Sequence, residues 1–255
     1  MTANVADLRV FPSAQALFSA SADEFVAQAD RAVQSNGKFT VALAGGSTPK
    51  GMYRLLAELP PGKIAWDHVF VFFGDERHVP PDHPDSNFRM ASETLLSNVP
   101  IPLENVFRVP AENPDAVAAA RDYEQTLRNF FGVKDEASSD GRTSASPRFD
   151  LVLLGMGPDG HAASLFPHSP GLKEQSRWVI ANRVEKFNSE RITLTYPVLN
   201  GAACVMFLVS GAEKQDALFQ VLRGKPAPEE FPSQAVQPVN GKLIWMVDQA
   251  AGARL

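Results

Sequence analysis

The chain of 255 residues contains a single cysteine, Cys204, and no long run of apolar residues. One cysteine excludes an internal disulfide framework and a zinc site built from cysteines. Because Cys204 lies in an apolar segment, we expect it to be a small buried hydrophobic group. No stretch reaches the ~18 apolar residues that a membrane-spanning helix requires. The N-terminus also lacks the pattern of a signal peptide, so we expect a soluble, cytoplasmic protein.

The sequence also lacks an excess of positive charge. Its 24 lysines and arginines are outnumbered by 29 aspartates and glutamates, which gives a formal net charge of −5. This balance provides no global attraction to nucleic acid or to an anionic membrane, so a bound anion must be held by a local cluster of donors. With 44% hydrophobic residues and no internal repeat, the composition predicts one globular domain over residues 1–255.

Short apolar segments rich in β-branched and aromatic residues alternate with helical patterns along the chain. Nearly continuous apolar character is typical of parallel strands that are buried on both faces. The alternation predicts an α/β fold, with an open, largely parallel sheet and helices on both faces. The predicted strands are 39–44, 68–73, 149–154, 191–195, 204–209 and 243–247. The predicted helices are 22–35, one that opens at Thr48-Pro49, 86–96, 113–131 and 212–222.

Residues 132–148 interrupt this alternation with a polar, serine-rich stretch. The residues that follow it enter a predicted core strand directly. We therefore expect a mobile surface loop here and not a linker between domains.

The first candidate loop reads Gly45-Gly46-Ser47-Thr48-Pro49 and joins a predicted strand to a predicted helix. Glycines allow a sharp turn and a close approach to a ligand, and the free amides at the start of a helix attract an anion. Ser47 and Thr48 add hydroxyl donors. These features favour phosphate binding over an ordinary capped turn. The Walker spacing G-x-x-x-x-G-K-[ST] is absent, which disfavours a nucleoside triphosphate.

The second candidate loop runs over residues 155–161, and its glycines match the dinucleotide pattern G-x-G-x-x-G. A dinucleotide site also needs a long helix and an acidic residue ~20 residues further on. Pro167 would end that helix early and no strand ends in an acid at that distance, so we expect no such cofactor. Asp159 and His161 lie at the strand edge where open α/β sheets bind ligands. His161 is therefore a candidate general base, although the loop alone leaves open a histidine that only caps Asp159.

A third segment, Asp75-Glu76-Arg77, follows another predicted strand. Such a charged run is either a solvated turn or a site, and the two carboxylates cannot both be buried without partners. Arg77 offers a planar fork suited to a carboxylate or a phosphate. Ser86 and Asn87 are candidates to position this loop or a ligand.

Five stretches resemble the 6-phosphogluconolactonase family of the pentose phosphate pathway. They are LAGGSTPKGMY (43–53), FFGDERHVP (72–80) with SN at 86, FDLVLLGMGPDGHAASLFPHSP (149–170), ITLTYPVLNGA (192–202) and VSGAEK (209–214). The resemblance implies a fold shared with sugar-phosphate isomerases and glucosamine-6-phosphate deaminase. It also implies hydrolysis of 6-phospho-D-glucono-1,5-lactone, with this phosphorylated lactone as the partner and without a cofactor or an obligate protein partner.

The resemblance further implies a role for individual residues. His161 would be the general base that activates water, and Asp75 and Asp159 would orient the water or His161. The residues expected to hold the substrate or its phosphate are Gly45, Gly46, Ser47, Thr48, Arg77, Arg191 and Lys214.

Three alternatives accompany this interpretation. A metal-dependent hydrolysis would use His78, Asp82, His83 and Asp85, but these crowd one proline-rich loop without a familiar ligand spacing, so we expect no metal. A glucosamine-6-phosphate deaminase or another isomerase would share the phosphate loop. A non-catalytic sugar-phosphate sensor would need a DNA-binding module, for which this acidic chain leaves no room. Since no serine lies in a G-x-S-x-G elbow, direct attack by water is favoured over a covalent intermediate.

Overall fold

The computed structural model of the chain describes residues 6–133 and 147–255. Within these residues, nine strands and six helices follow one another, joined by loops and short 3-10 turns. The strands are β1 (Asp7–Phe11), β2 (Phe39–Leu43), β3 (Val69–Phe73), β4 (Asp75–Arg77), β5 (Leu151–Gly155), β6 (Val179–Val184), β7 (Ser189–Leu194), β8 (Cys204–Val209) and β9 (Lys242–Asp248). The helices are α1 (Ala14–Asn36), α2 (Ser47–Ala57), α3 (Asn87–Thr94), α4 (Ala116–Phe131), α5 (Tyr196–Gly201) and α6 (Gln215–Arg223).

The larger sheet has six strands in the order β1-β9-β8-β5-β2-β3. Every neighbouring pair in it is parallel. All residues of β2 and β8 are buried, which requires cover on both faces of the sheet. The predicted open, parallel α/β architecture is thereby confirmed, and the carboxyl ends of these strands meet at one edge.

A smaller sheet has three antiparallel strands in the order β4-β7-β6. The sequence predicted segment 191–195 as one of the buried parallel strands, and this was wrong. Only the second half of β7 is buried, where the strand contacts α4. Ile192, Thr193 and Leu194 are consecutive and all buried, so this half of β7 is covered on both faces although its neighbouring strands are antiparallel.

Two helix starts differ from their prediction. The helix predicted to open at Thr48-Pro49 starts two residues earlier, with Ser47 as its first residue after Gly46, and no side chain among the described residues caps it. Helix α4 starts after Asp115, whose carboxylate accepts from the amides of its first turn, and not at residue 113. In contrast, the helix predicted from residue 86 begins where expected, since Ser86 caps α3 with a hydroxyl that accepts from the amide of Arg89.

Helix α1 begins two turns before its predicted start, because Ser13 caps it by accepting from the amide of Ala16. It ends at Gly37 in the left-handed conformation, as the sequence indicated. Cys204 is buried in β8, as expected, and burial raises the pKa of its thiol to about 12. In the part of the chain that the structure describes, no helix has the length and apolar character to cross a membrane. The predicted polar loop falls largely on residues 134–146, which lie outside the described residues.

Candidate active site

A cleft of about 270 Å³ lies at the carboxyl ends of β2, β5 and β8, beside the small sheet. The loops that follow these strands and the strands β4 and β7 line it. The structure places nine of the ten candidate residues around this cleft, namely Gly45, Gly46, Ser47, Thr48, Asp75, Arg77, His161, Arg191 and Lys214. The tenth, Asp159, lies behind His161 and is bonded to it.

The loop between β2 and α2 presents the start of a helix to the cleft. Gly46 adopts φ +100°, a conformation that side chains with a Cβ rarely take, and this turn lets α2 begin at Ser47. The first amides of a helix have no intrahelical acceptors and lie at its positive dipole end. The buried hydroxyl of Tyr53 fixes the strand end by donating to the carbonyl of Ala44 and accepting from its amide. The arrangement suits an anion.

Two arginines of the small sheet face the cleft next to each other. Arg191 on β7 lies in register with Arg77 on β4. Burial lowers the pKa of Arg191, and repulsion from Arg77 lowers it further. The Nε of Arg191 is buried and has no hydrogen-bond partner among the residues described. Together with Lys214, these groups form a cationic site whose charges an anion would compensate.

His161 and Asp159 form a hydrogen-bonded pair after β5. The Nδ1 of His161 lies 2.5 Å from Oδ1 of Asp159. Burial alone would raise the pKa of Asp159, but the hydrogen bond and charge of His161, with a contribution from Lys186, hold it well below its usual value. Asp159 is therefore a carboxylate that accepts from Nδ1–H, and this tautomer leaves the lone pair of His161 on Nε2. The histidine can accept a proton from a group in the cleft.

The ring of His161 packs against the backbone at Gly157. A Cβ built on Gly157 would lie 2.0 Å from Nδ1 of His161 and 2.6 Å from Oδ1 of Asp159. On its other side, the ring stacks on Phe166 with centroids 4.0 Å apart. The histidine is thus held in a slot that only glycine at position 157 leaves open.

Gly157→Ala is expected to displace His161 and to lower kcat roughly tenfold, because a misplaced base loses alignment with its substrate. The cost of the added methyl in free energy of unfolding should be about 1–3 kcal/mol. Steady-state kinetics and thermal unfolding measure the two effects. Gly74→Ala is the matched control, since a Cβ there meets only backbone oxygens at 3.5 and 4.0 Å. An unchanged kcat in a folded Gly157→Ala protein would show that the ring position is not critical.

Glu76 is a structural residue and not part of the cleft. Its side chain is only 2% exposed. Burial raises its pKa, while bonds from the amides of Arg77, Asn87 and Phe88 counteract that shift. Its carboxylate also accepts from the hydroxyl of Ser86 at 3.1 Å. This one residue ties β4 to the start of α3.

Asp75 lines the cleft, and its expected role in orienting water or His161 stays a prediction. Its carboxylate accepts from the hydroxyl of Ser164 at 2.6 Å and from the side-chain amide of Asn87 at 3.3 Å. No hydrogen bond joins it to His161 within the ranges that the structure describes. Asp75 therefore positions Ser164 and Asn87.

Sequence reasoning missed several residues of the cleft. Ser164 and Phe166 follow His161, inside the longest stretch of resemblance, but they received no role. Lys186 and Phe187 lie in the turn between β6 and β7, and no local motif indicated them. The pairing of β6 with β7, and of β7 with β4, brings this turn to the cleft.

The histidines of the proline-rich loop lie outside the cleft lining. The Nε2 of His78 is 2.6 Å from the carbonyl of Asn113, and His83 lies near Asp85. Among residues 6–133 and 147–255, no group of three or more His, Cys, Asp or Glu side chains has a metal-binding arrangement. A metal-free reaction stays a prediction.

Comparison with known proteins identifies the family to which the chain belongs. The family described as Glucosamine-6-phosphate isomerases/6-phosphogluconolactonase matches residues 12–245. The chain is 45% identical to a 6-phosphogluconolactonase of Nostoc sp. over 249 residues, which cover 97% of this chain and 98% of the relative. It is 37% identical to "Probable 6-phosphogluconolactonase 1" of Arabidopsis thaliana, over 98% and 93% of the two chains. The structure of the 6-phosphogluconolactonase from Trypanosoma brucei superposes with a TM-score of 0.87 at 28% identity, covering 99% of this chain and 100% of that one. The chain belongs to the glucosamine-6-phosphate isomerase/6-phosphogluconolactonase family.

Proposed function

We propose that this protein hydrolyses 6-phospho-D-glucono-1,5-lactone to 6-phospho-D-gluconate, a step of the oxidative pentose phosphate pathway. The observation that carries the proposal is one cleft lined by a paired histidine, by a cluster of cations and by the start of a helix. The first suits attack on a lactone carbonyl and the second suits a phosphate. The names of the relatives from Nostoc sp. and Trypanosoma brucei support the same substrate.

In the proposed reaction, the Nε2 of His161 removes a proton from water as the water oxygen adds to the lactone carbonyl carbon. Asp159 stabilises the imidazolium that forms, through its bond to Nδ1. The tetrahedral intermediate then breaks the bond between its carbonyl carbon and the ring oxygen. His161 returns its proton to that oxygen, which leaves as a hydroxyl. General base catalysis of this kind contributes about 10²- to 10⁴-fold.

The charge that develops on the carbonyl oxygen needs donors nearby. The backbone amides of residues 45–47 and the guanidinium of Arg77 line the same cleft and are the candidates. Donors held in place before the reaction stabilise such an oxyanion without reorganisation.

The phosphate would bind Arg191, Lys214 and the hydroxyls of Ser47 and Thr48. Charge-assisted hydrogen bonds from a guanidinium are about twice as strong as neutral ones. By fixing the far end of the substrate, they would orient the lactone carbonyl towards His161.

A covalent route through a serine has little support in the hydrogen bonds of the cleft. The hydroxyl of Ser164 donates to Asp75, and that of Ser210 donates to Asp248. In the described chain, no serine hydroxyl is bonded to His161. A serine nucleophile needs a base within hydrogen-bond reach, so the arrangement favours direct attack by water.

Two assays separate the proposed activity from its family alternative. Acid release is measured with freshly generated 6-phosphogluconolactone, and ammonia release is measured with glucosamine 6-phosphate. We expect rapid acid release, and ammonia at background level. Ammonia release with no lactone hydrolysis would instead identify a deaminase, and binding of both sugars without turnover would identify a sensor. The cytoplasmic location and the lack of a protein partner stay predictions from the sequence.

Treatment with a chelator is expected to leave lactone hydrolysis unchanged, because the proposed base is a side chain and not a metal-bound water. The activity is measured in the presence of the chelator and again after its removal, in each case with and without added divalent metal. Loss in chelator and recovery with metal would contradict the mechanism.

A further inference from the structure

The turn between β6 and β7 brings a lysine to the carboxylate that holds His161. Asp159 divides its two oxygens between two partners. Oδ1 lies 2.5 Å from Nδ1 of His161, and Oδ2 lies 3.4 Å from Nζ of Lys186. The three groups form a line in which the carboxylate is shared by a histidine and a lysine.

Aromatic contacts hold this turn against the catalytic loop. Phe187 meets Phe166 edge to face, with ring centroids 5.7 Å apart, and Phe166 stacks on the ring of His161. The guanidinium of Arg191 lies 5.6 Å from the ring of Phe187 on its other side. Phe187 stays half exposed, but these contacts place the turn, and with it Lys186, beside the loop that carries His161.

The effect of Lys186 on the Asp159–His161 pair follows from its charge. The carboxylate of Asp159 attracts a proton to His161, and a base that keeps its proton at the working pH cannot accept one from water. A cation on the other oxygen reduces that attraction. The other charged groups that face the cleft are Asp75, Arg77, Arg191 and Lys214, and within the described residues none of them is paired with Asp159.

We propose that Lys186 is a positioning residue of this site, which shares Asp159 with His161 and so keeps the histidine unprotonated, and able to act as a base, at lower pH. This inference rests on the proposed lactone hydrolysis for its kinetic consequence. The electrostatic effect of Lys186 on His161 does not depend on which reaction the protein catalyses. The side chain of Lys186 is 60% exposed, so solvent screens the interaction and the effect is modest.

Replacing Lys186 by methionine removes the cation and keeps much of the aliphatic chain. A protonated His161 cannot accept a proton from water, so turnover falls at low pH. Without Lys186, the imidazolium is more strongly stabilised, so the acid limb of the kcat/KM profile should move to higher pH by about 0.2–0.7 units. On the plateau above that limb, kcat/KM should change little.

Two control variants separate this effect from a general one. Lys186→Arg keeps the charge and should restore the position of the acid limb. Lys173→Met removes a lysine that is 81% exposed and lies 4.0 Å from Glu229, and it should leave the limb where it is. An acid limb that coincides in Lys186→Met and in the unaltered protein would overturn the inference, as would an equal shift in Lys173→Met.

NMR titration of the histidine rings tests the same point without turnover. The five histidines give separate ring signals, and the signal of His161 is the one missing in His161→Ala. The pH at which this signal is halfway through its change should rise in Lys186→Met and return to its original value in Lys186→Arg. If it rises in a protein that does not hydrolyse the lactone, the proposed function fails and the inference stands. If it does not move in an active protein, the inference fails and the function stands.

Discussion

Replacing His161 by alanine is expected to lower kcat for the lactone by about 10²- to 10⁴-fold. The ring is placed to accept a proton from the cleft, since Asp159 engages its Nδ1 while no described residue engages its Nε2. The cationic side of the cleft does not depend on this ring. Binding of the product 6-phosphogluconate, measured by calorimetry, should therefore largely persist while turnover collapses.

His168→Ala is the matched control for this variant. His168 follows seven residues later, is exposed and pairs with Glu230, so its loss should leave kcat unchanged. Rates are compared after subtraction of the uncatalysed hydrolysis of the lactone. If His161→Ala kept its turnover, the base would have to be another group. If it lost product binding along with turnover, the ring would have a structural role instead.

Replacing Arg191 by methionine is expected to raise KM about 10- to 100-fold with a smaller effect on kcat. Hydrogen bonds to a charged group contribute about 1.5–3 kcal/mol, and a phosphate held far from the carbonyl binds equally in the ground and transition states. Arg191 is the strongest candidate for this contact, because its buried Nε lacks a partner in the described chain and its pKa is lowered by burial and by Arg77.

The substrate itself provides the discriminating comparison. Glucono-1,5-lactone without a phosphate should be hydrolysed equally by Arg191→Met and by the unaltered protein, because neither can use the missing contact. Arg223→Met, at the exposed end of α6, is the control for loss of an arginine and should behave like the unaltered protein with both lactones. An equal loss of kcat/KM with both lactones would show that Arg191 supports the fold and does not bind phosphate.

The sequence allowed the large sheet to be predicted well and the small one poorly, for a physical reason. Strands β2, β3, β5, β8 and β9 are apolar and buried, so composition alone reveals them. Strand β4 consists of Asp75, Glu76 and Arg77, which no propensity scale favours as a strand. Its pairing with β7 stabilises it, while Glu76 turns inward and its two neighbours face the cleft.

The candidate site, like the fold, could be predicted from the sequence only in part. The two glycine-rich loops are continuous in sequence, and their position after strands was enough to single them out. Arg191 and Lys214 were candidates only through family resemblance, because a lone basic residue carries no local signal. Lys186 and Phe187 escaped notice altogether, since both strands that carry their turn belong to the sheet that the sequence described least well.

Because the two loops follow adjacent strands, the residues proposed for the chemistry and those proposed to bind the substrate can be substituted independently. The phosphate loop follows β2 and the histidine loop follows β5, its neighbour in the sheet. Residues 155–161 and the start of α2 are therefore separate segments of the sequence, and each can accumulate substitutions of its own. A protein lineage that inherits such a phosphate-binding loop can evolve new reactions on any sugar that carries the same phosphate. The joint description of isomerases and lactonases in one family is the outcome expected of that history.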